Sequence, residues 1–270
     1  MTLATAAGAT GANGANGANG AAVAADAAAP TAPRLDIAGE RATITLNDAA
    51  AHNRITPAHL DVLGRHLDRV ASDASIRVLI LTGSGEKTFC SGYDASSLQG
   101  GLDQRWEALL DRLEALAVPT LCAVNGNAFG GGIDLALCCD LRIGVTGSRM
   151  TMPTSRLGIH LYPGGMRRFA RSFGIDMTKR LLMTALPLEG EDMVRCGFLC
   201  EAVDRPALAD AVQRYASAIA ACEPKVLITT KGFLNKPLWT DQDLAAMRDA
   251  HQRSIAAAGG SGRLSNLKKN

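Results

Sequence analysis

The chain of 270 residues lacks any apolar run of the about 18 to 20 residues that a helix needs to cross a bilayer. Its start lacks the basic residues and apolar centre of a secretory signal, and residues 1–33 lack the arginines typical of mitochondrial transit peptides. Lys and Arg number 28 against 26 Asp and Glu, so no excess positive charge attracts nucleic acid or membranes. We therefore predict a cytoplasmic protein that binds neither, although a local charge cluster could hold a small anion.

The seven cysteines give no sign of a disulfide framework. Their number is odd, most of them stand in apolar runs, and the chain is long for a disulfide-stabilised scaffold. We therefore expect reduced thiols, which agrees with a reducing compartment.

The composition changes sharply near Arg34. Residues 1–33 consist almost wholly of Ala, Gly, Thr and Asn, and they predict a disordered tail because they offer little side chain to bury. From Arg34 onwards, β-branched runs alternate with amphipathic stretches, which is typical of an α/β fold. We predict an α/β core over residues 34–221 and a helical C-terminal segment of the same domain over residues 222–270.

Hydrophobic periodicity places strands and helices along this core. Strands are predicted at Arg41–Leu46, Arg77–Thr82, Pro119–Val124 and Leu141–Val145. Helices are predicted at Pro57–Ala71, Trp106–Leu116, Gly131–Cys139, Pro163–Phe173, Met177–Met183, Gly190–Cys196, Pro206–Ala221, Pro224–Phe233 and Asp241–Ala257. The C-terminal third is thus expected to be predominantly helical.

Two glycine-bearing turns follow two of the predicted strands. The first is Lys87-Thr-Phe-Cys-Ser-Gly-Tyr-Asp94, and the second is Asn125-Gly-Asn-Ala-Phe-Gly-Gly-Gly-Ile-Asp134. α/β folds usually bind their ligands at the carboxyl ends of sheet strands. The three glycines of the second turn open a helix whose first N–H groups have no internal acceptor, and Asp134 follows in its first turn. An oxyanion site with a carboxylate beside it suits enolate chemistry.

Each turn alone admits a plainer interpretation. Three consecutive glycines usually form a turn or a close packing contact, and an aspartate in the first turn of a helix usually interacts with the helix dipole. The glycine run is neither a dinucleotide-binding motif nor a P-loop, because the GxGxxG spacing and a following Gly-Lys-Ser/Thr are absent. Only the two turns together favour catalysis.

Three segments together resemble the crotonase (enoyl-CoA hydratase/isomerase) superfamily. They are RVLILTGSGEKTFCSGYD from Arg77 to Asp94, AVNGNAFGGGIDLALCCDLRI from Ala123 to Ile143, and MPTSRLGIHLYPGGMRRFAR from Met152 to Arg171. The resemblance implies the ββα spiral core of the ClpP/crotonase fold, a helical C-terminal trimerisation region, and a homotrimer or hexamer. It also implies an acyl-CoA substrate, with coenzyme A present only as part of that substrate, no other cofactor and no metal.

Matched position by position, the resemblance implies an oxyanion hole made of the backbone N–H groups of Tyr93 and Gly131, with Asp134 as the acid/base. The nucleotide of coenzyme A is expected near the loop Ala51–Arg54. The positions implied in substrate binding are Ser91, Gly92, Asp94, Gly130, Asn53, Thr154 and Tyr162.

Thr154 stands where family hydratases carry a second glutamate. Its hydroxyl stays protonated near neutral pH, so hydration is in doubt, and isomerisation, decarboxylation or lyase chemistry stay open. Asp134 resembles the dienoyl-CoA isomerase branch, but Thr154 and Tyr162 occupy the places of its further carboxylates. Tyr162 or His160 could supply a phenol or an imidazole, although a loop histidine is more often merely solvated. A catalytically weak acyl-CoA-binding protein is the alternative.

Four basic residues near the matched segments and at the end of the chain have two interpretations each. Lys268 and Lys269 could meet coenzyme A phosphates, but a solvated terminal charge pair is simpler. Arg167 and Arg168 could also meet such phosphates, and we interpret them as a solvated helix face or a subunit contact.

Overall fold

The computed structural model describes residues 30–98, 102–236, 238 and 240–260. In chain order, strands β1 to β10 are Arg34–Ala38, Arg41–Leu46, Val78–Gly83, Thr88–Cys90, Thr120–Val124, Asn127–Phe129, Leu141–Val145, Arg149–Thr151, Leu188–Glu189 and Glu201–Val203. Helices α1 to α8 are Pro57–Ser72, Gln104–Ala115, Gly131–Leu137, Pro163–Thr184, Glu191–Arg195, Leu208–Ala221, Pro224–Leu234 and Asp241–Gly260. The four strands predicted from periodicity are all present, within a residue of their predicted ends.

The prediction of a disordered tail over residues 1–33 is wrong for its last residues. The Pro30 carbonyl accepts a hydrogen bond of 2.8 Å from the Asn47 side chain, and Ala32 is buried against the core. The rest of that prediction lies outside the described residues, as do Lys268 and Lys269.

Two sheets form the core of the protein. The first has the strand order β1-β2-β3-β5-β7-β10, in which β1 runs antiparallel to β2 and the other neighbours are parallel. The second has the order β4-β6-β8-β9, in which β8 and β9 are antiparallel and the other pairs are parallel. Sequence analysis missed the second sheet because its strands are two or three residues long, too short to show a periodicity.

A strand of the first sheet, a strand of the second sheet and a helix follow one another three times. The repeats are β3-β4-α2, β5-β6-α3 and β7-β8-α4. Each repeat therefore advances both sheets by one strand and adds one helix, which is the ββα arrangement that the resemblance implies. The predicted α/β class is confirmed.

Both faces of the first sheet are covered, which explains why β3 is almost wholly apolar. Leu79 and Leu81 of this strand belong to the main core, together with residues of α1 and α2. Val78 and Ile80 point to the other face, where they pack with Ala211 and its neighbours on α6. No helix among the described residues is long and apolar enough to span a membrane.

The C-terminal third contains more than the predicted helices. The two helices predicted at Pro163–Phe173 and Met177–Met183 are continuous in α4 except at Gly174, which has non-helical angles of φ 69° and ψ 169°. β9 and β10 also lie in this part of the chain and complete the two sheets. The prediction of a helical C-terminal third is therefore right for α6, α7 and α8 and incomplete before them.

Candidate active site

Strands β4 and β6 bring the two glycine turns to one place. They are parallel neighbours in the second sheet, so their carboxyl ends lie at the same edge. Gly92 and Tyr93 follow β4, and Gly130 and Gly131 follow β6 at the start of α3. The short strands that sequence analysis missed therefore position both turns.

The backbone nitrogens of Tyr93 and Gly131 lie close together at this edge. A Cβ atom on Gly131 would lie 3.2 Å from the Tyr93 nitrogen, and one on Gly92 would lie 2.7 Å from the Gly131 nitrogen. Gly92 also has a φ of 94°, so any side chain there would strain the backbone and collide with the Gly131 amide. Within the described part of the chain, neither amide donates a hydrogen bond to another group. Two such donors suit an oxygen that carries negative charge.

Aromatic rings stand beside the amide pair. The Trp106 Cζ2 atom would lie 3.0 Å from a Cβ on Gly131, and the centroids of the Tyr93 and Trp106 rings are 5.6 Å apart. Trp106 is buried, and the buried Tyr93 hydroxyl has no partner in the part of the chain that the structure describes. Apolar surroundings of this kind strengthen hydrogen bonds made by the amides.

Asp134 lies one helical turn after Gly131 on α3, which places the two residues on the same face. The side chain is 0% exposed. Arg168 Nε donates to its Oδ1 at 2.7 Å, and Arg168 Nη2 donates to its Oδ2 at 3.2 Å. The Tyr162 hydroxyl donates to the same Oδ2. Both carboxylate oxygens are therefore bound by donors from the protein.

A cluster of charged side chains, missed in the sequence, lies behind this carboxylate. Arg168 also donates through Nη1 to Asp111 at 2.9 Å and to Glu114 at 3.1 Å. Glu114 pairs in addition with Arg167 at 2.6 Å and with Arg171 at 2.9 Å. The prediction that Arg167 and Arg168 form a solvated face or a subunit contact is wrong for Arg168, whose side chain is 0% exposed and ion-paired within the chain.

Burial and charge shift the pKa values of this cluster. Burial, followed by the charge of Asp134, raises the pKa of Tyr162, so the phenol stays protonated at neutral pH. Burial opposes the charge on Arg168, but the hydrogen bonds to Asp134 and the nearby Cys138, Asp134 and Tyr162 together outweigh it and raise the pKa of Arg168. Burial likewise opposes the charge on Glu114, but the Arg167 hydrogen bond and the surrounding arginines lower the pKa of Glu114 below its ordinary 4.5.

The third matched segment reaches the start of α3. The Pro153 ring would lie 3.9 Å from a Cβ on Gly130, and the half-buried Thr154 follows it at the start of the turn Thr154–Leu157. Thr154 is thus near the glycine turn, but it brings no carboxylate to it. His160 is exposed.

Asn53 holds a turn of the backbone. It is 1% exposed, and its amide nitrogen donates to the carbonyls of Ser84 at 2.9 Å and Thr88 at 2.8 Å. Its side-chain oxygen accepts a hydrogen bond of 3.1 Å from the Asp48 amide. Both polar atoms of the Asn53 side chain are therefore used within the protein, and its role in substrate binding stays a prediction.

Asp94 ends the first glycine turn. It accepts hydrogen bonds from the hydroxyls of Ser96 at 2.7 Å and Ser97 at 3.2 Å, and the Ser96 hydroxyl is the main cause of its lowered pKa. Arg54 Nη1 lies 3.5 Å from Asp94, with 48% of the arginine side chain exposed. The loop predicted to bind the nucleotide therefore lies beside the first turn, where Ser91 is half-buried.

The sequence matches the family model described as enoyl-CoA hydratase/isomerase over residues 37–259. The short-chain-enoyl-CoA hydratase of Clostridium acetobutylicum is 31% identical over 218 residues, which cover 78% of this chain and 84% of that protein. The crotonyl-CoA hydratase of Syntrophomonas wolfei is 32% identical over 219 residues, which cover 77% of this chain and 83% of that protein. The chain belongs to the enoyl-CoA hydratase/isomerase family.

A solved structure of the family has a similar fold over most of this chain. The crystal structure of an enoyl-CoA hydratase from Bacillus anthracis has a TM-score of 0.78 and 25% identity, and the match covers 88% of this chain and 96% of that one. The predicted crotonase-like fold is therefore confirmed. That the helical C-terminal segment forms a trimerisation region stays a prediction.

The cluster of charged side chains around Arg168 and Glu114 is the part of the site that the matched motifs do not predict. One signal was present in α2, where Glu114 lies beside Leu110 and Leu113 on the buried face of the helix. A carboxylate on an apolar face needs a basic partner, so Glu114 predicts a buried Lys or Arg. The identity of that partner does not follow from spacing, because Arg168 lies far along the chain on α4.

Proposed function

We propose that this family member acts on an acyl-CoA thioester and that the Tyr93 and Gly131 amides bind the thioester carbonyl oxygen. Loss of a proton from the carbon beside the carbonyl puts negative charge on that oxygen, and two amides already in place stabilise it. The observation that carries the proposal is the pair of unused N–H groups at one sheet edge, within the described chain. The hydratase names of the relatives support a coenzyme A thioester as the substrate.

We assign the proton to Asp134, the carboxylate one turn from Gly131. With Thr154 in place of a second acid, the proton can be taken from one carbon and returned to another, so isomerisation fits the site at least as well as hydration. Decarboxylation and lyase chemistry would use the same enolate. In each case, the amide pair and Asp134 are the parts of the site that all these reactions share.

The remaining binding residues surround this centre in the proposal. The nucleotide of coenzyme A is placed near Ala51–Arg54, where the half-exposed guanidinium of Arg54 can meet a phosphate. Ser91, Gly92, Asp94, Gly130, Thr154 and Tyr162 contact the pantetheine or acyl part. Coenzyme A enters as part of the substrate, and the proposed reaction uses no other cofactor.

Turnover of a panel of enoyl-CoA and acyl-CoA thioesters tests this function. Asp134→Asn should lower kcat by about 10²- to 10⁴-fold, the usual effect of removing a positioned acid/base. Asp210→Asn is the matched control, because Asp210 also stands in the first turn of a helix but lies on α6, away from the site. Equal turnover by the wild type and Asp134→Asn would reject the role of Asp134.

An acyl-CoA-binding protein with little catalysis is the second candidate. It is favoured by Thr154 and by the arginine and tyrosine that occupy both oxygens of Asp134. Calorimetry with acetyl-CoA separates the candidates when combined with the turnover panel. Tight binding without turnover of any thioester would favour binding alone.

We further propose a homotrimer or hexamer in the cytoplasm. On α7, apolar side chains that a soluble helix usually buries are exposed, including Val226 at 45%, Ile228 at 42% and Leu234 at 61%. All seven cysteines are free thiols, as predicted, and this suits a reducing compartment. Analytical ultracentrifugation checks the assembly, and a monomer at micromolar concentration would contradict it.

A further inference from the structure

We propose that Tyr162 is a catalytic residue: its hydroxyl accepts the proton of the substrate and passes its own proton to Asp134, which Arg168 holds in position. This inference rests on the proposed function and deepens it. It assigns the contact with the reacting carbon to Tyr162 and makes Asp134 the final holder of the proton.

The first observation is that the Asp134 side chain is completely buried. Its side chain is 0% exposed, so no substrate atom reaches it unless a neighbouring group moves. Of the donors on its oxygens, Arg168 is also 0% exposed, whereas Tyr162 is half-buried. Tyr162 is therefore the neighbour through which the buried carboxylate can exchange a proton with a ligand.

The second observation is the direction of the Tyr162 hydroxyl. Its proton points to Asp134 Oδ2, so the lone pairs of the phenol oxygen are left to accept a proton from elsewhere. The residue stands immediately before α4, and its carbonyl accepts a hydrogen bond of 2.9 Å from the Met166 amide. The backbone of Tyr162 is thereby fixed to the helix that also carries Arg168.

The proposed step balances in atoms and charge. The C–H bond beside the thioester carbonyl breaks, and its electron pair moves to the carbonyl oxygen at the amides of Tyr93 and Gly131. The proton joins the Tyr162 oxygen while the original hydroxyl proton passes to Asp134. The phenol is neutral before and after the step, and the negative charge has moved from Asp134 to the enolate. The reverse path can deliver the proton to another carbon.

Arg168 suits the role of the positioning residue. It aligns Asp134 through two N–H bonds, while its third nitrogen is held by Asp111 and Glu114. Because these two acids share the guanidinium, Arg168 remains paired when Asp134 becomes neutral. The raised pKa of Tyr162 agrees with a phenol that never carries the negative charge itself.

Exchange of the α-protons of butyryl-CoA in deuterium oxide tests the role of Tyr162. Tyr162→Phe keeps the ring and removes the hydroxyl, so exchange should slow by about 10²-fold or more while KM changes little. Tyr215→Phe is the matched control and should exchange like the wild type. Tyr215 also stands beside an arginine, Arg214 at 5.0 Å, and interacts with the carboxylate of Glu201, but it lies on α6.

The outcomes distinguish this inference from the proposed function. Exchange by Tyr162→Phe at the wild-type rate, with loss in Asp134→Asn, would overturn the inference and leave the proposed function standing. A wild type that neither exchanges butyryl-CoA protons nor turns over any thioester of the panel would overturn both. Loss of exchange in a Tyr162→Phe variant that is folded, as its circular dichroism spectrum will show, is the expected result.

Two further variants separate chemistry from structure. Fluorotyrosine at position 162 keeps the hydroxyl that the relay requires, so it should retain the exchange that Tyr162→Phe loses. Exchange by the fluorotyrosine variant as slow as that of Tyr162→Phe would overturn the inference. Arg168→Lys keeps the charge but loses the paired N–H bonds, and it should lower kcat by about tenfold or more with little change in KM, as expected for loss of orientation. An unchanged kcat in folded Arg168→Lys would show that Arg168 is not a positioning residue.

Discussion

Replacing Arg168 by methionine removes the cation of the buried charge cluster while keeping an unbranched side chain. The wild-type guanidinium is 0% exposed and bonds Asp134 at 2.7 and 3.2 Å, Asp111 at 2.9 Å and Glu114 at 3.1 Å. Without it, Asp134 keeps only the Tyr162 hydroxyl as a donor in the described chain. Breaking a buried pair in this way typically costs about 3–5 kcal/mol, because the remaining charge is buried without compensation.

The cost should fall mainly on Asp134. Glu114 keeps its pairs with Arg167 and Arg171, and the Asp111 side chain is 52% exposed and can be solvated. Arg168→Met combined with Asp134→Leu removes both members of the pair and should therefore recover much of the lost free energy of unfolding. We expect a coupling energy of about 2–3 kcal/mol between the two substitutions, the upper range for residues in contact.

Urea unfolding followed by circular dichroism, at one protein concentration because assembly affects stability, measures these differences. Arg214→Met is the matched control, since Arg214 bonds both Glu201 oxygens at 2.8 Å but is 59% exposed. An exposed pair of this kind contributes about 0.2–1 kcal/mol. The reasoning is refuted if Arg168→Met costs no more than Arg214→Met, or if the double variant is as unstable as the sum of its parts.

Three further predictions concern acid stability and the glycine turns. Because the folded-state pKa of Glu114 is lowered, its stabilisation is present above its ordinary pKa of 4.5 and is lost as pH falls through the lower value. Glu114→Gln should therefore be less stable than the wild type at pH 7 and lose less stability on acidification, as pH-dependent urea unfolding will show. Gly131→Ala would place a Cβ 3.0 Å from Trp106 and 3.2 Å from the Tyr93 nitrogen, so kcat should fall by about 10²-fold, the effect of losing one oxyanion donor. Gly147→Ala enters open space and should leave kcat and folding unchanged in the same assays. Thr154→Glu restores a carboxylate beside the glycine turn and should raise hydration of crotonyl-CoA relative to the wild type; no increase would show that the side chain at this position does not reach the substrate.

Long elements with a clear periodicity were predictable from the sequence. β2 has its predicted bounds, and α1 differs from its prediction at its C-terminal end alone. The elements that were missed lack such a pattern. β4 and β6 have three residues each and are stabilised by pairing with each other rather than by local preference.

The candidate site was predictable only in part. The glycines of the two turns can be recognised in the sequence, because a positive φ such as that of Gly92 favours glycine at its position. The partners of Asp134 cannot be recognised from any local sequence pattern. Arg168 and Tyr162 come from α4 and the loop before it, and whether an arginine on a helix is solvated or buried depends on the opposing helix α2. The same residue type is buried at 168 and 59% exposed at 214.

Infrared difference spectroscopy of butyryl-CoA labelled with carbon-13 at the thioester carbonyl measures the hydrogen bonds to that oxygen directly. The amides of Tyr93 and Gly131 should move the carbonyl band to lower frequency on binding, by more than water does. Gly131→Ala should bind the thioester with a smaller shift, and Gly147→Ala should match the wild type. A bound thioester whose carbonyl band stays at its position in water would contradict the account.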